Sequence, residues 1–339
     1  LDFPNMLDIN LKKYNLVLEL TMNLLFRSCL QKIIFVFGAF LIIFHSPAFS
    51  NEQEQFAKSV PIADMHMHLL GKRPIFYKEL MDRNGVKWGG GVGGSIFDDQ
   101  EGVSQLLGDR YIKTLGQKEF VKVFFQQGES GLLNPNDPDF VQLFSQAEQE
   151  FKSGKAHGFG EIHGNNRRSH GPRNERFARK ISLKSPVISR MFEVANRYEK
   201  FIQLHIEGED DTLRELSEQM ALYPKALVIL SHCLPYSGPN TLRELFRNHK
   251  NLLCEVSAGG PVHKVARIFN NSGISQRYET LIWEFPDRFL LGTDPCCGLD
   301  HLYDEMISEL RLYFLANLPM EIAEKIAYKN IIELLGLKN

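Results

Sequence analysis

Residues 61–70 read PIADMHMHLL. An apolar run closes here on Asp64, His66 and His68, at every second position. In an extended strand, side chains two apart share a face, so the spacing predicts that these three converge on one side while Met65 and Met67 face the other. Two imidazoles held that way form a chelating pair, which raises the question of whether other strands end in ligands too.

From about residue 60 onward, short runs rich in Val, Ile and Phe alternate with stretches of helical period, the pattern of repeated βα units. The expected strands are VPIADMHMH (60–68), GVKWGGG (85–91), EFVKVFFQQ (119–127), AHGFGEIH (156–163), KFIQLHI (200–206), ALVILSH (226–232), NLLCEVS (251–257) and RFLLGTD (288–294). Between them lie helical segments such as 137–154, 209–222 and 238–250, whose Asp, Glu or Asn near the start suits a helix N-terminus. Eight strands with helices between them over about 280 residues predict one α/β domain, a (β/α)8 TIM barrel, rather than two domains. The closing segment MEIAEKIAYKNIIELLGL (320–337) has the spacing of an amphipathic helix that covers the barrel. The glycines of GVKWGGGVGGS (85–95) predict a mobile lid or spacer around Trp88.

Composition sets the outer bounds. Hydrophobic residues make up 43% of the 339 residues and charged residues 24%, which excludes disorder, collagen and a polytopic membrane protein. A net charge of −2 provides no global basic field, so nucleic acid is not an expected partner. In MNLLFRSCLQKIIFVFGAFLIIFHSPAFS (22–50), Arg27 and Lys32 precede the apolar run Ile33 to Phe44, and Ala48-Phe49-Ser50 offers small residues for cleavage. This predicts a signal peptide cut after Ser50, with residues 1–21 as an upstream extension and 51–339 as the mature barrel. The protein would then be periplasmic or secreted, with no stable membrane anchor, because a run of about a dozen apolar residues is short against the roughly 20 that span a bilayer. Oligomer formation is left open. Four cysteines lie in the mature chain, Cys233, Cys254, Cys296 and Cys297, and with no CxxC pair they are expected as free thiols at strand ends, packed rather than touching a metal.

The ligand question can now be answered. His66 and His68 close the first expected strand, Glu161 the fourth, His205 the fifth, His232 the sixth and Asp294 the eighth. The C-terminal ends of parallel barrel strands form one rim, where active sites of this architecture are built. Taken singly, a strand-end His is a common structural residue, Glu161 a salt-bridge partner and Asp294, before Pro295, a turn residue. Six potential ligands at the same end of their strands point instead to a shared divalent metal site, zinc first, with manganese or iron as alternatives and one or two ions.

On DMHMH, GFGEIH, LHIEGED, LSHC, FLLGTD and AYKNIIELLGL, the chain resembles the amidohydrolase superfamily of metal-dependent enzymes. The likeness covers about residues 60 to 337 and is closest to the amidohydrolase-related (amidohydrolase 2) branch, with TatD-like features. The resemblance implies a distorted barrel, with His66, His68 and Asp294 on one metal, His205 and His232 on a second or facing it, and Glu161 as a bridge. Glu161 stands where many binuclear members carry a carboxylated lysine, which tilts the reading towards hydrolysis of an amide, ester, lactone or phosphoester bond. The alternative is a mononuclear zinc-dependent decarboxylase of the same branch.

Within that reading, Asp294 is the expected metal ligand and proton acceptor, and His232 stabilises oxyanion charge or holds the second metal. Arg167, Arg168 and His163 are the expected contacts to a small-molecule substrate, from a basic segment that also carries His170, Arg173, Arg176, Arg179 and Lys180. Asp64 is either an acceptor that fixes a ligand imidazole or a residue bonded to backbone. Glu207 and Glu255 are expected in rim salt bridges.

Overall fold

The structure, a computed structural model, describes residues 47–95, 97–169, 177–264 and 267–337. The expected upstream extension 1–21 and signal peptide 22–50 lie outside the described residues, apart from the last four, which open helix α1 (Pro47–Ser59). His170, Arg173 and Arg176 also lie outside them. The chain divides into two units, Leu1–Gln53 and Glu54–Asn339, and all the described strands belong to the second.

Its strands are β1 (Ile62–Asp64), β2 (Val86–Gly90), β3 (Tyr111–Ile112), β4 (Thr114–Gly116), β5 (Gly158–His163), β6 (Phe201–His205), β7 (Leu227–Leu230), β8 (Leu252–Glu255), a short antiparallel pair β9 (Phe269–Asn270) and β10 (Gly273–Ile274), and β11 (Phe289–Leu290). Two parallel sheets form, ordered β1-β2-β3 and β4-β5-β6-β7-β8-β11. Only Lys113 separates β3 from β4, so together they make one broken stave. The ring closes between the last stave and the first, where Met65 N–H donates to Leu291 O at 2.9 Å and Asp294 N–H donates to His66 O at 2.8 Å. The result is a distorted (β/α)8 barrel of eight parallel staves.

Helices return the chain between staves: α2 (Pro74–Asn84), α3 (Gln100–Leu107), α4 (Gln117–Gly131), α5 (Pro138–Ser153), α6 (Pro186–Tyr198), α7 (Asp210–Leu222), α8 (Pro239–Asn248), α9 (Gln276–Glu284), α10 (Tyr303–Glu309), α11 (Met320–Glu324) and α12 (Asn330–Leu335). Four of them, α2, α5, α6 and α8, begin with proline, whose fixed φ and missing N–H suit the first turn. Asp137 and Ser185 cap α5 and α6 by accepting from Asp139 N–H and Ile188 N–H. Among the described residues no helix is long and apolar enough to cross a membrane.

Ala63, Met65, Trp88, Ile112, Phe201, Ile229, Leu253 and Leu290 fill the barrel interior, and Ile331 and Ile332 of α12 pack beneath them. The closing segment therefore covers the floor: Tyr328 stacks on Trp88 with ring centroids 5.8 Å apart, and Asn330 Nδ2 donates to Pro286 O and Phe289 O at 2.9 Å.

Three expectations need correction. EFVKVFFQQ belongs to α4, where Phe120 and Val123 are buried at helical spacing and Phe125 is exposed; the third stave is YIKTLG, its brevity masked by Lys113, which is buried against Glu150 at 2.9 Å. The glycine run is a packed stave end and not a mobile lid, since Gly89 to Gly94 are all buried. At Gly91, with φ +78°, a Cβ would collide with Met65 O, so this crossing of backbones requires glycine. Finally, Cys233 and Cys254 form a disulfide. They leave adjacent staves with Cα atoms 4.7 Å apart, inside the range a disulfide bridges.

Candidate metal centre

The first stave ends sooner than its alternation suggests. Asp64 Oδ1 accepts His66 N–H at 3.0 Å, an Asx-type bond that turns the chain at Met65–His66 and breaks the period of two. Asp64 consequently leaves the histidine face and binds Thr293 N–H (3.0 Å), Thr293 Oγ1 (2.6 Å) and Tyr303 OH (2.8 Å). It clasps the first stave to the segment after the last, and burial raises its pKa against those hydrogen bonds. The turn delivers His66 and His68 to the rim together.

There they meet the other strand-end residues. His66 Nε2 lies 3.2 Å from His68 Nε2, 3.6 Å from Glu161 Oε2 and 3.6 Å from Asp294 Oδ1. His68 Nε2 lies 3.4 Å from Asp294 Oδ1 and 3.8 Å from Glu161 Oε2. His232, in the turn after β7, places Nε2 at 3.7 Å from Glu161 Oε1 and 4.0 Å from Asp294 Oδ2. On the far side His205 Nδ1 lies 3.0 Å from Glu161 Oε1. Glu161 thus stands between two sets of imidazoles, and the six residues form one buried or nearly buried cluster.

Glu255, expected in a rim salt bridge, is instead fully buried beneath this cluster. Its Oε1 accepts from His66 Nδ1 (2.8 Å), His232 N–H (2.7 Å) and Ser257 Oγ (3.0 Å). Because the Ser257 hydroxyl donates to Glu255, its oxygen accepts from His232 Nδ1 at 2.7 Å. Both imidazoles thereby keep a proton on Nδ1, as assigned from the network, and turn Nε2 towards the centre. Gly292 makes room: a Cβ there would lie 2.8 Å from His66 Cβ and collide with Glu255 Oε2.

A similar chain supports Glu161. Arg179 Nη2, always a donor, reaches His163 Nδ1 at 2.6 Å, so His163 Nε2–H donates to Glu161 Oε2 at 2.9 Å. Glu207, the other expected rim salt bridge, accepts from Arg168 N–H (2.7 Å), Ser169 N–H (2.6 Å) and Ser169 Oγ (2.9 Å), while Ser169 Oγ lies 3.2 Å from His205 Nε2. Of the expected substrate contacts, His163 adjoins the cluster through Glu161. Arg167 reaches Glu129 at 3.2 Å, and Arg168 lies over the Tyr236 ring at 4.3 Å, both at the surface. The buried cation beside the cluster is Arg179, which lies over Phe124 at 4.5 Å. The sequence reading left out Ser257 and Ser169 and placed Glu255 in a rim salt bridge; the signal for its role is its place at the end of the stave NLLCEVS.

The electrostatics are those of an anionic cage. Burial pushes His66 down, yet Glu161, Glu255 and Asp294 outweigh it and hold its imidazole well above the ordinary value. Burial raises Asp294 and Glu161, but the surrounding histidines bring both well below the usual carboxylate range. His232 is pushed down to about 4 by burial with His205 and His66, and His163 to about 3 by burial against the opposing pull of Glu161. Among the described residues, the buried Asp294 Oδ1 accepts no well-aligned hydrogen bond. Imidazole nitrogens and carboxylate oxygens whose ligand atoms lie within 4.8 Å of one another are a donor set that fits a divalent transition metal ion.

Known proteins place the chain in a family. Among solved structures it is similar to a probable 2-pyrone-4,6-dicarboxylic acid hydrolase from Acinetobacter baumannii with citric acid bound (14% identity, 81% of this chain and 99% of that one, TM-score 0.51). It is also similar to an amidohydrolase from Burkholderia multivorans with bound zinc (12%, 83% and 100%, TM-score 0.49) and to a dihydroxybenzoic acid decarboxylase from a Polaromonas species with bound manganese and 2-nitroresorcinol (13%, 83% and 98%, TM-score 0.47). No curated protein matches it. The family model Amidohydro_2, described as amidohydrolase, matches residues 128–337, more than half of the chain, so this protein belongs to the amidohydrolase family.

Proposed function

We propose that the chain is a metal-dependent hydrolase acting on an amide, ester, lactone or phosphoester bond of a small molecule. The observation that carries the reading is Glu255, which fixes two imidazoles with their Nε2 atoms turned towards a buried carboxylate cage. A cage that raises the proton affinity of His66 favours any cation in the same place. His66, His68 and Asp294 would hold one ion, and His205 and His232 with Glu161 between would hold a second, zinc being the first candidate and manganese or iron the next. When bound, such an ion polarises the scissile group and lowers the pKa of water towards roughly 7.

The chain's own groups do the rest. The buried Asp294 carboxylate takes the proton from the attacking water and returns it to the leaving group. His232, neutral at pH 7 with Nδ1–H held by Ser257, offers a lone pair to the ion and not an N–H to an oxyanion. Glu161, held by His163, keeps the two halves of the site in register.

Elemental analysis of purified protein is expected to find two ions per chain, falling to one in Glu161→Ala. Against a panel of lactones, esters, amides and aromatic acids, hydrolysis should fall by about 10²–10⁴ in Asp294→Asn with metal retained. Release of CO2 from an aromatic acid, with one ion in both proteins, would replace this reading with the decarboxylase. Export is part of the proposal, and N-terminal sequencing of the secreted or periplasmic product should begin at Asn51.

A further inference from the structure

We propose that Cys296 is a metal ligand, its thiolate sharing an ion with His68 and Asp294. This rests on the metal-centre reading above and narrows which ion the site takes. Cys296 N–H donates to the backbone Asp294 O at 2.8 Å, a tight turn that keeps the two residues side by side. One ligand atom each from His68, Asp294 and Cys296 lies within 4.8 Å of the others. Independently, Asp294 Oδ1 is buried 3.4 Å from His68 Nε2 and, among the described residues, accepts no well-aligned hydrogen bond, so its charge faces the same spot.

The other cysteines do not compete for the role. Cys233 and Cys254 are joined in a disulfide, and Cys297 is exposed, with its Sγ 2.8 Å from Cys296 Sγ. Cys296 is the inner thiol of the pair. On binding, the Cys296 S–H bond breaks, an Sγ–metal bond forms, the proton leaves to solvent and the ion stays divalent, so no oxidant is needed. A thiolate beside imidazole and carboxylate favours zinc over manganese or magnesium, which prefer oxygen ligands.

Cobalt(II) added to the chelator-stripped full chain reads this without an activity assay. Visible d–d bands report binding by the histidines and carboxylates; a near-ultraviolet sulfur-to-cobalt charge-transfer band reports the thiolate. Wild type and Cys297→Ser should show both, and Cys296→Ser only the visible bands. Visible bands without charge transfer in wild type overturn the Cys296 assignment and leave the metal centre standing. A charge-transfer band that survives Cys296→Ser but not Cys297→Ser overturns it as well. Absence of both bands from wild type overturns the metal centre and this assignment together. Should Cys296→Ser fail to fold by circular dichroism, the wild-type and Cys297→Ser spectra decide alone.

Discussion

At the scale of single residues, the geometry of the site depends on which nitrogen of each imidazole carries a proton, and the groups that set this are not among the six candidate ligands. The ligand types stand out in the sequence because histidines and acids are unusual where apolar strands end. The tautomer-setting groups do not, because Glu255 or Arg179 looks like any other charged residue until the fold buries it. Arg179 is the sharper case: it is 2% exposed, donates to His163 Nδ1, and has Nε and Nη1 buried with no partner among the described residues. Burial lowers its pKa to about 10, with Glu161 opposing. A buried cation with unmet donors costs stability unless something else repays it. Replacing it with methionine leaves the longer contact from Asn166 Nδ2, at 3.3 Å, on His163 Nδ1, so the proton moves there more readily and turns an Nε2 lone pair against the Glu161 carboxylate. Arg179→Met is therefore expected to lose about 10–100-fold in turnover, the usual cost of removing a group that orients a ligand. Its thermal midpoint should hold or rise. Kinetics and calorimetry on the same preparation test this, and a lower midpoint with unchanged turnover would make Arg179 a structural residue only.

At the scale of elements, the sequence is readable where local and global patterns agree and misleading where they part. The staves that carry Glu161 and His205, Gly158–His163 and Phe201–His205, and Leu227–Leu230 just before His232 appear where expected. The third stave is short and broken at Lys113, so the more apolar α4 beside it takes the eye. A buried lysine resembles a loop until its partner Glu150, on another helix, is in place. Glu309 is a further acid whose setting only packing creates: it closes α10, its Oε2 accepts Val262 N–H at 2.9 Å, and burial raises its pKa from 4.5 to about 7. Below pH 4.5 the folded and unfolded chains both keep this proton. Between about 4.5 and 7 only the folded chain keeps it, so folding stability falls as pH rises through that window and levels off above it. At about 1.4 kcal/mol per pKa unit the full shift corresponds to about 3.5 kcal/mol, and solvent screening at the carboxyl brings the loss to the order of 2–3 kcal/mol. Glu309→Gln keeps the acceptor and removes the titration, so its advantage in urea midpoint over wild type should be absent at pH 4.5 and full at pH 8. An equal gap at both pH values would mean that Glu309 titrates normally.

At the scale of the whole molecule, barrel closure turns residues far apart in sequence into one site. The order of strand-end ligands was enough to foresee that gathering, because parallel staves leave only one rim for them to share. What no local pattern encodes is how the other end is sealed. The interior below the site is a single apolar layer, and Tyr328, in the helical turn between α11 and α12, lies on Trp88 of β2 with ring planes 16° apart. Residues so distant along the chain make a contact that exists only once the ring is complete. If the floor and the ring fold together, breaking either side of the stack should weaken the same transition. Trp88→Leu and Tyr328→Leu are each expected to lower stability, the first by about 3 kcal/mol or more because Trp88 is fully buried. Together they should lose about 0.5–1.5 kcal/mol less than the sum, the worth of a stacked aromatic pair beyond its buried area. Denaturant unfolding followed by both fluorescence and circular dichroism measures the coupling, and in each variant the two signals should move as one. Additive losses, or a fluorescence transition that precedes loss of helix, would mean that the closing helices dock onto a barrel already formed without them.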